Sequence, residues 1–213
     1  MALQNRVLPT GEIVAHPARG TLTGNRGILH RPDRTLGKAR WTHPHWVTCT
    51  LTHPRGRYHG PMPDRAWTAL FFLDEAVAIA AGHRPCGYCR RAAYGAWRAA
   101  WARGVGAEDR VAMDQALHAA RVTRGRAQIR HAALPSDLPL GCFVLWQGTA
   151  HLVTETGLLT YAPDGYASAV PHPAGQVTVL TPRPSVAVLA AGYRPALHPS
   201  AAARHAPAAG LDA

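Results

Sequence analysis

The stretch Phe71-Phe72-Leu73-Asp74-Glu75-Ala76-Val77-Ala78-Ile79-Ala80-Ala81-Gly82-His83-Arg84-Pro85-Cys86-Gly87-Tyr88-Cys89 decides how the rest of the chain is read. It begins at the end of Trp67–Phe72, which reads as a strand. Asp74 fits a helix N-cap with Glu75 in the first turn, Ala76–Ala81 is strong helix-forming sequence, and Gly82 stands where a left-handed residue ends a helix. Cys86-Gly87-Tyr88-Cys89 follows, with the two-residue gap that lets both thiolates turn toward one ion. Gly87 leaves room for that turn, and its backbone amides can stabilise anionic sulfur.

The cysteines are at 49, 86, 89 and 142. A thioredoxin-like redox pair requires a strand before the motif, whereas a helix, a glycine and a loop precede Cys86, so the spacing favours a metal. Zinc needs two more ligands. Cys49 is the natural third, because Cys142 has the apolar neighbours Phe143, Val144 and Leu145 and suits a buried packing role. His53 is the first choice for the fourth: Cys49-x3-His53 can converge where a strand runs into a turn. His30, His45 and His59 compete with it.

Outward from this centre, Trp46–Leu51 reads as a strand and His53–Asp64 as a basic turn region. Residues 1–40 are read as mostly loop, because glycines and prolines interrupt every apolar run. A helix is expected from Arg90 to Gly104, with Tyr94, Trp97 and Trp101 on one stripe, and another from Glu108 to Ala120. After Pro135 short strands alternate with glycine-containing breaks: Cys142–Gln147, Thr149–Thr154, Gly157–Ala162 and Val177–Leu180. A short helix opens at Pro182 or Pro184 and ends at Gly192. The expected architecture is α+β. A zinc-stapled amino-terminal α/β module with a helical extension, Ada-like by the resemblance that its residues 71–89 carry, covers 1–130, a small antiparallel β-rich lobe covers 135–195, and a flexible tail covers 196–213.

The module's name comes from a resemblance. Phe71–Cys89, and more loosely residues 46–103, resembles the zinc-binding amino-terminal domain of the bacterial Ada DNA-repair protein, whose signature joins paired phenylalanines, an Ala-rich helix and A-G-F-R-P-C-x-x-C. The resemblance maps that family's early Cys-x3-Cys pair onto Cys49 and His53, and it implies DNA as partner and repair or regulation as role. It also implies that Cys49 stands where the family's sulfur accepts a methyl group from a DNA phosphotriester. Here His replaces a thiolate, the spacer from 53 to 86 is long, and neither a helix-turn-helix region nor a Pro-Cys-His-Arg motif follows. Three thiolates and a neutral imidazole leave one negative charge fewer than four thiolates, so structural zinc is the stronger expectation.

Composition supports a globular body. Leu, Ile, Val and Phe make up about 19% of the 213 residues, charged residues only 16%, and six Trp and six Tyr add bulk. No apolar run approaches the roughly 18 residues of a membrane span, and Met1–Gly11 lacks a signal peptide's apolar stretch, so a cytoplasmic protein without a membrane partner is expected. The net charge of +11 rests on arginine, with Lys38 the single lysine, and such a chain attracts polyanions. DNA, ahead of RNA, is the expected partner, through Arg26, Arg31, Arg34, Arg40, Arg55, Arg57, Arg90 and Arg91 around the metal ligands. Trp41 and Trp46 beside Arg40 form a candidate stacking platform for a base, with core packing as the competing role. Walker, dinucleotide-binding, nucleophile-elbow and H-E-x-x-H motifs are absent, so no catalytic residue and no small-molecule cofactor is assigned. Two other functions fit the same features: an enzyme acting on nucleic acid, the methyl acceptor included, and a zinc-stapled protein-interaction module.

Overall fold

The computed structural model describes residues 2–52, 67–107 and 109–202. Its architecture is α+β, with two six-stranded sheets packed about a buried helix. The first sheet draws on strands β1 (Gln4–Val7), β2 (Ile13–Ala15), β3 (Leu22–Asn25), β4 (Val47–Thr50) and β5 (Leu70–Phe72). Helix α1 (Glu75–Ala80) follows, then the short strand β6 (Arg84–Pro85), which completes the order β2-β1-β5-β3-β4-β6. Helices α2 (Arg91–Gly104) and α3 (Arg110–Arg121) lead to the second sheet. That sheet contains β7 (His131–Ala133), β8 (Phe143–Trp146), β9 (Thr149–Val153), β10 (Leu158–Ala162), β11 (Gly165–Val170) and β12 (Val177–Val179). Its order is β11-β10-β9-β8-β12-β7, antiparallel throughout. Helices α4 (Arg183–Ala190) and α5 (Pro199–Ala202) close the described chain.

Residues 1–40, expected as mostly loop, contain three short strands between longer irregular stretches. The glycines that interrupt the apolar runs act as turns between short strands: Gly11 takes φ +83 between β1 and β2, whose ladder pairs Arg6 with Val14 and Val7 with Ile13. Strands of three or four residues carry too little period-two signal to stand out from a loop.

Helix α1 is buried on every side, which its Ala-Val-Ala-Ile-Ala sequence permits and a strongly polar face would forbid. It packs against β5 of the first sheet and β8 of the second. One core gathers Val7, Leu70, Phe72 and Val77 with Phe143, Leu152, Leu159 and Leu180, so it belongs to both sheets. The other gathers Trp97, Trp101, Met113 and Leu117 with Val144, Val153, Val188 and Leu189. Helices α2 and α4 meet closely at Gly104, where a Cβ would lie 2.5 Å from the Ala187 carbonyl oxygen.

Two acidic side chains at the head of α1 bind the carboxy-terminal part to the rest. Asp74 caps the helix through Oδ1 to the Val77 amide, while its Oδ2 accepts from the Tyr166 hydroxyl at 2.7 Å and the His198 amide at 3.0 Å. Glu75 accepts from the Tyr193 hydroxyl at 2.6 Å and the Ala196 amide at 2.9 Å. Residues 196–202, expected in a flexible tail, are instead tied to Asp74 and Glu75 through the Ala196 and His198 amides and end in α5. Among the described residues no helix is long and apolar enough to cross a membrane.

Candidate metal centre

Cys49 lies in the middle of β4, opposite Thr23 of β3. Strand β6 runs parallel to β4 on the other side, pairing Val47 with Arg84 and Thr48 with Pro85, and the Cys86 amide extends this ladder to the Thr48 carbonyl at 2.9 Å. Cys86 is thereby delivered beside Cys49. The chain then turns tightly, with the Arg90 amide donating to the Cys86 carbonyl at 3.1 Å, and Cys89 comes back toward both. The sulfurs of Cys49, Cys86 and Cys89 all lie within 4.8 Å of one another, close enough to hold a metal ion. A tetrahedral site with Zn–S bonds of about 2.3 Å would set its sulfurs about 3.8 Å apart, so the cluster fits with small adjustments.

Neighbouring side chains hold this turn in place. A Cβ at Gly87 would press on the Tyr94 ring at 3.0 Å, so glycine lets the knuckle sit on the first turn of α2. Arg90 donates to the Thr48 hydroxyl at 3.0 Å and pairs with buried Glu75 at 2.8 Å, linking knuckle, β4 and α1. Arg84 forks onto Asp114 of α3 with contacts of 2.7 and 2.8 Å, and His45 Nδ1 adds a third contact to that carboxylate at 2.8 Å.

Hydrogen bonding within the cluster favours a thiolate at Cys86 over one at Cys49 or Cys89. Cys86 receives hydrogen bonds from Cys49 and Cys89 and from the amides of Cys89 and Tyr88, which hold its thiol down to about 2. Cys49 is pushed far up, first by its bond to Cys86, then by that to Cys89 and by burial. For Cys89 the bond with Cys49 pulls down, but the bond with Cys86, burial and the Cys86 charge leave it raised. The site is thus prepared for a cation that would displace two protons.

Among the described residues no His, Asp, Glu or further Cys joins the three sulfurs. His53, the expected fourth ligand, and its competitor His59 lie outside the described residues. His30 bonds through Nε2 to the Gln4 carbonyl at 2.9 Å, and His45 is engaged by Asp114. Cys142 is fully buried in the second core, where burial pushes its thiol up to about 12.

The eight candidate nucleic-acid arginines have very different settings. Arg31, Arg34 and Arg91 are exposed and Arg40 is half-buried, while Arg55 and Arg57 lie outside the described residues. Arg90 is largely covered and ion-paired with Glu75. Arg26 is buried, only 2% exposed, and donates to His83, Gly11 and Ala81, which corrects its expected place on a surface. Its turn-rich sequence context concealed that Trp46 and His83 would close over it. The Arg84–Asp114 pair, which braces the site, has no local signal in the sequence, because its members stand thirty positions apart.

Comparison of the chain with models of protein families, with curated proteins and with solved structures gave no match.

Proposed function

We propose that this chain is a zinc-binding protein that contacts nucleic acid, DNA in particular, in repair or regulation, with zinc in a mainly structural role. The observation that carries the reading is the convergence of Cys49, Cys86 and Cys89 from two paired strands and a turn. Three sulfurs suit zinc: thiolates favour soft or borderline cations, and zinc imposes no geometry beyond the tetrahedron the site can supply. His53, or another imidazole, would complete it, in the manner of the Ada zinc domain that residues 46–103 resemble. Support for a polyanionic partner comes from the +11 charge and from exposed Arg91 beside the knuckle.

Elemental analysis of protein purified without chelator should give one zinc per chain, and none would overturn the metal reading. DNA affinity in a gel shift should fall steeply with salt as counterions are released, and Arg55→Glu/Arg57→Glu should weaken it at least tenfold. Salt-independent binding, or none, would leave a protein-interaction module. The resemblance also offers Cys49 as a methyl acceptor, and intact-mass measurement after incubation with DNA bearing methylphosphotriesters separates the roles. An unchanged mass supports structural zinc, whereas one added methyl on Cys49 makes the protein a single-turnover repair enzyme.

A further inference from the structure

A second site lies on residues that take no part in the cysteine cluster. A cleft of about 670 Å³ is lined by Arg26, Arg40, Arg121, Arg126 and Arg130, with Trp41 and Trp46 on its wall. This volume falls within the range of small-molecule pockets. Glu12 is the single acidic residue of the lining, and its carboxylate accepts from the Thr10 hydroxyl. Five cationic side chains against one anionic one is an unbalanced lining for a protein cleft.

The deepest charges make the imbalance sharper. Arg26 and Arg121 are 2% and 1% exposed, and their guanidinium carbons stand 4.1 and 3.8 Å from the same Trp46 ring. Neither forms a salt bridge among the described residues. Arg26 donates to the carbonyls of Gly11 and Ala81 and to His83, and Arg121 to the carbonyls of Gly82 and Pro44, with His118 Nδ1 3.0 Å from its Nη2. Asp114 is the carboxylate whose field reaches Arg121, and it is already held by Arg84 and His45. The Nε of Arg121 is buried without a hydrogen-bond partner. Two buried like charges, balanced by carbonyl dipoles and an indole face, are costly unless an anion is brought to them.

Around the mouth the remaining arginines are held in place. Arg40 is fixed by the Gly37 carbonyl at 2.7 Å, Arg126 by the Lys38 carbonyl at 2.8 Å, and Arg130 by Gln128 at 3.2 Å. Gln128 itself is anchored to the carbonyls of Pro9, Ala80 and Leu180, which fixes the floor beneath them. None of these contacts uses a carboxylate, and among the described residues no salt bridge neutralises these guanidinium charges. Trp41 offers a half-buried ring beside them.

We propose that this cleft binds a phosphate monoester carried on a flat, base-like ring, with the phosphate among the arginines and the ring against Trp41. Guanidinium forks match phosphate oxygens, a dianion answers the excess charge, and an indole face stacks with any nucleobase. The shared chemistry has two sources: a free nucleotide, or the phosphorylated end of a nucleic-acid strand. The site does not depend on the metal, since none of its residues belongs to the cysteine cluster.

Calorimetric titration of the full chain as purified with AMP tests it, against adenosine and inorganic phosphate, at constant ionic strength set with chloride. AMP should bind at least tenfold more tightly than either fragment. Arg126→Asn/Arg130→Ala should weaken AMP at least tenfold with an unchanged melting temperature; Asn tolerates the left-handed backbone at 126, where φ is +72°. Trp41→Leu should erase the advantage of AMP over phosphate. A 5′-phosphorylated oligonucleotide preferred over AMP and over its 5′-hydroxyl form assigns the strand end, and AMP binding without that preference assigns the free nucleotide. Adenosine binding as well as AMP, AMP binding unchanged in the double variant, or no AMP binding at all would overturn the proposal.

Discussion

Gly82 shows how much depends on a single missing side chain. It takes φ +85 after α1, and a Cβ there would meet the Arg121 side chain at 2.5 Å. Gly82→Ala should destabilise the fold by about 1–3 kcal/mol, from left-handed backbone strain together with displacement of buried Arg121, as read from urea unfolding. The cysteines make a prediction about pH. Cys86 is ionised well below neutrality, while Cys49 and Cys89 have raised values and keep their protons until metal displaces them. Metal binding near neutral pH therefore releases protons, so affinity must fall as pH falls. Two protons released correspond to a loss of about 100-fold per pH unit between roughly pH 8 and 6. Competition against a chromophoric chelator across that range checks the slope, and a flat profile would contradict this protonation of the three thiols.

Between elements, the cysteine cluster and the Arg84–Asp114 pair adjoin the same short strand, and a metal on the cysteines would secure it further. Strand β6 has only two residues and little ladder of its own. Its hydrogen bonds, Arg84 amide to Trp46 carbonyl and Cys86 amide to Thr48 carbonyl, should exchange faster after chelation, with the amides of β8 and β9 unaffected. Asp114→Asn leaves the buried Arg84 guanidinium without its countercharge and should lose about 3–5 kcal/mol, measurable by denaturant titration. Loss of less than about 1 kcal/mol would mean that Tyr94, whose ring lies 5.1 Å from the guanidinium, carries that charge instead.

For the molecule as a whole, the sheets share their hydrophobic interior. Phe143, Leu152 and Leu180 cover the α1 core, and Tyr166 and Tyr193 bind the buried carboxylates at its head. A fragment ending at residue 130 would expose that core and leave Asp74 and Glu75 without these hydroxyls. It should fail to fold alone, showing neither dispersed amide resonances nor a cooperative melt, although it contains all three cysteines of the cluster.

The sequence by itself determined the features that depend on near neighbours. These were the Asp74 cap, the stop at Gly82, the α2 and α3 helices, the meander after residue 135, and the Cys86–Cys89 knuckle with Cys49 as its partner. Each is encoded within a few residues or, for Cys49, by the exclusion of an apolar alternative. Tertiary structure decided what depends on distant partners. It drew Arg26 and Arg121 onto Trp46, bound Arg84 to Asp114, paired three short segments of residues 1–40 into a sheet, and tied residues 196–202 to α1. An arginine looks the same in a sequence whether water or an indole will surround it. Only the folded chain supplies the neighbours that distinguish a solvated charge from a buried one.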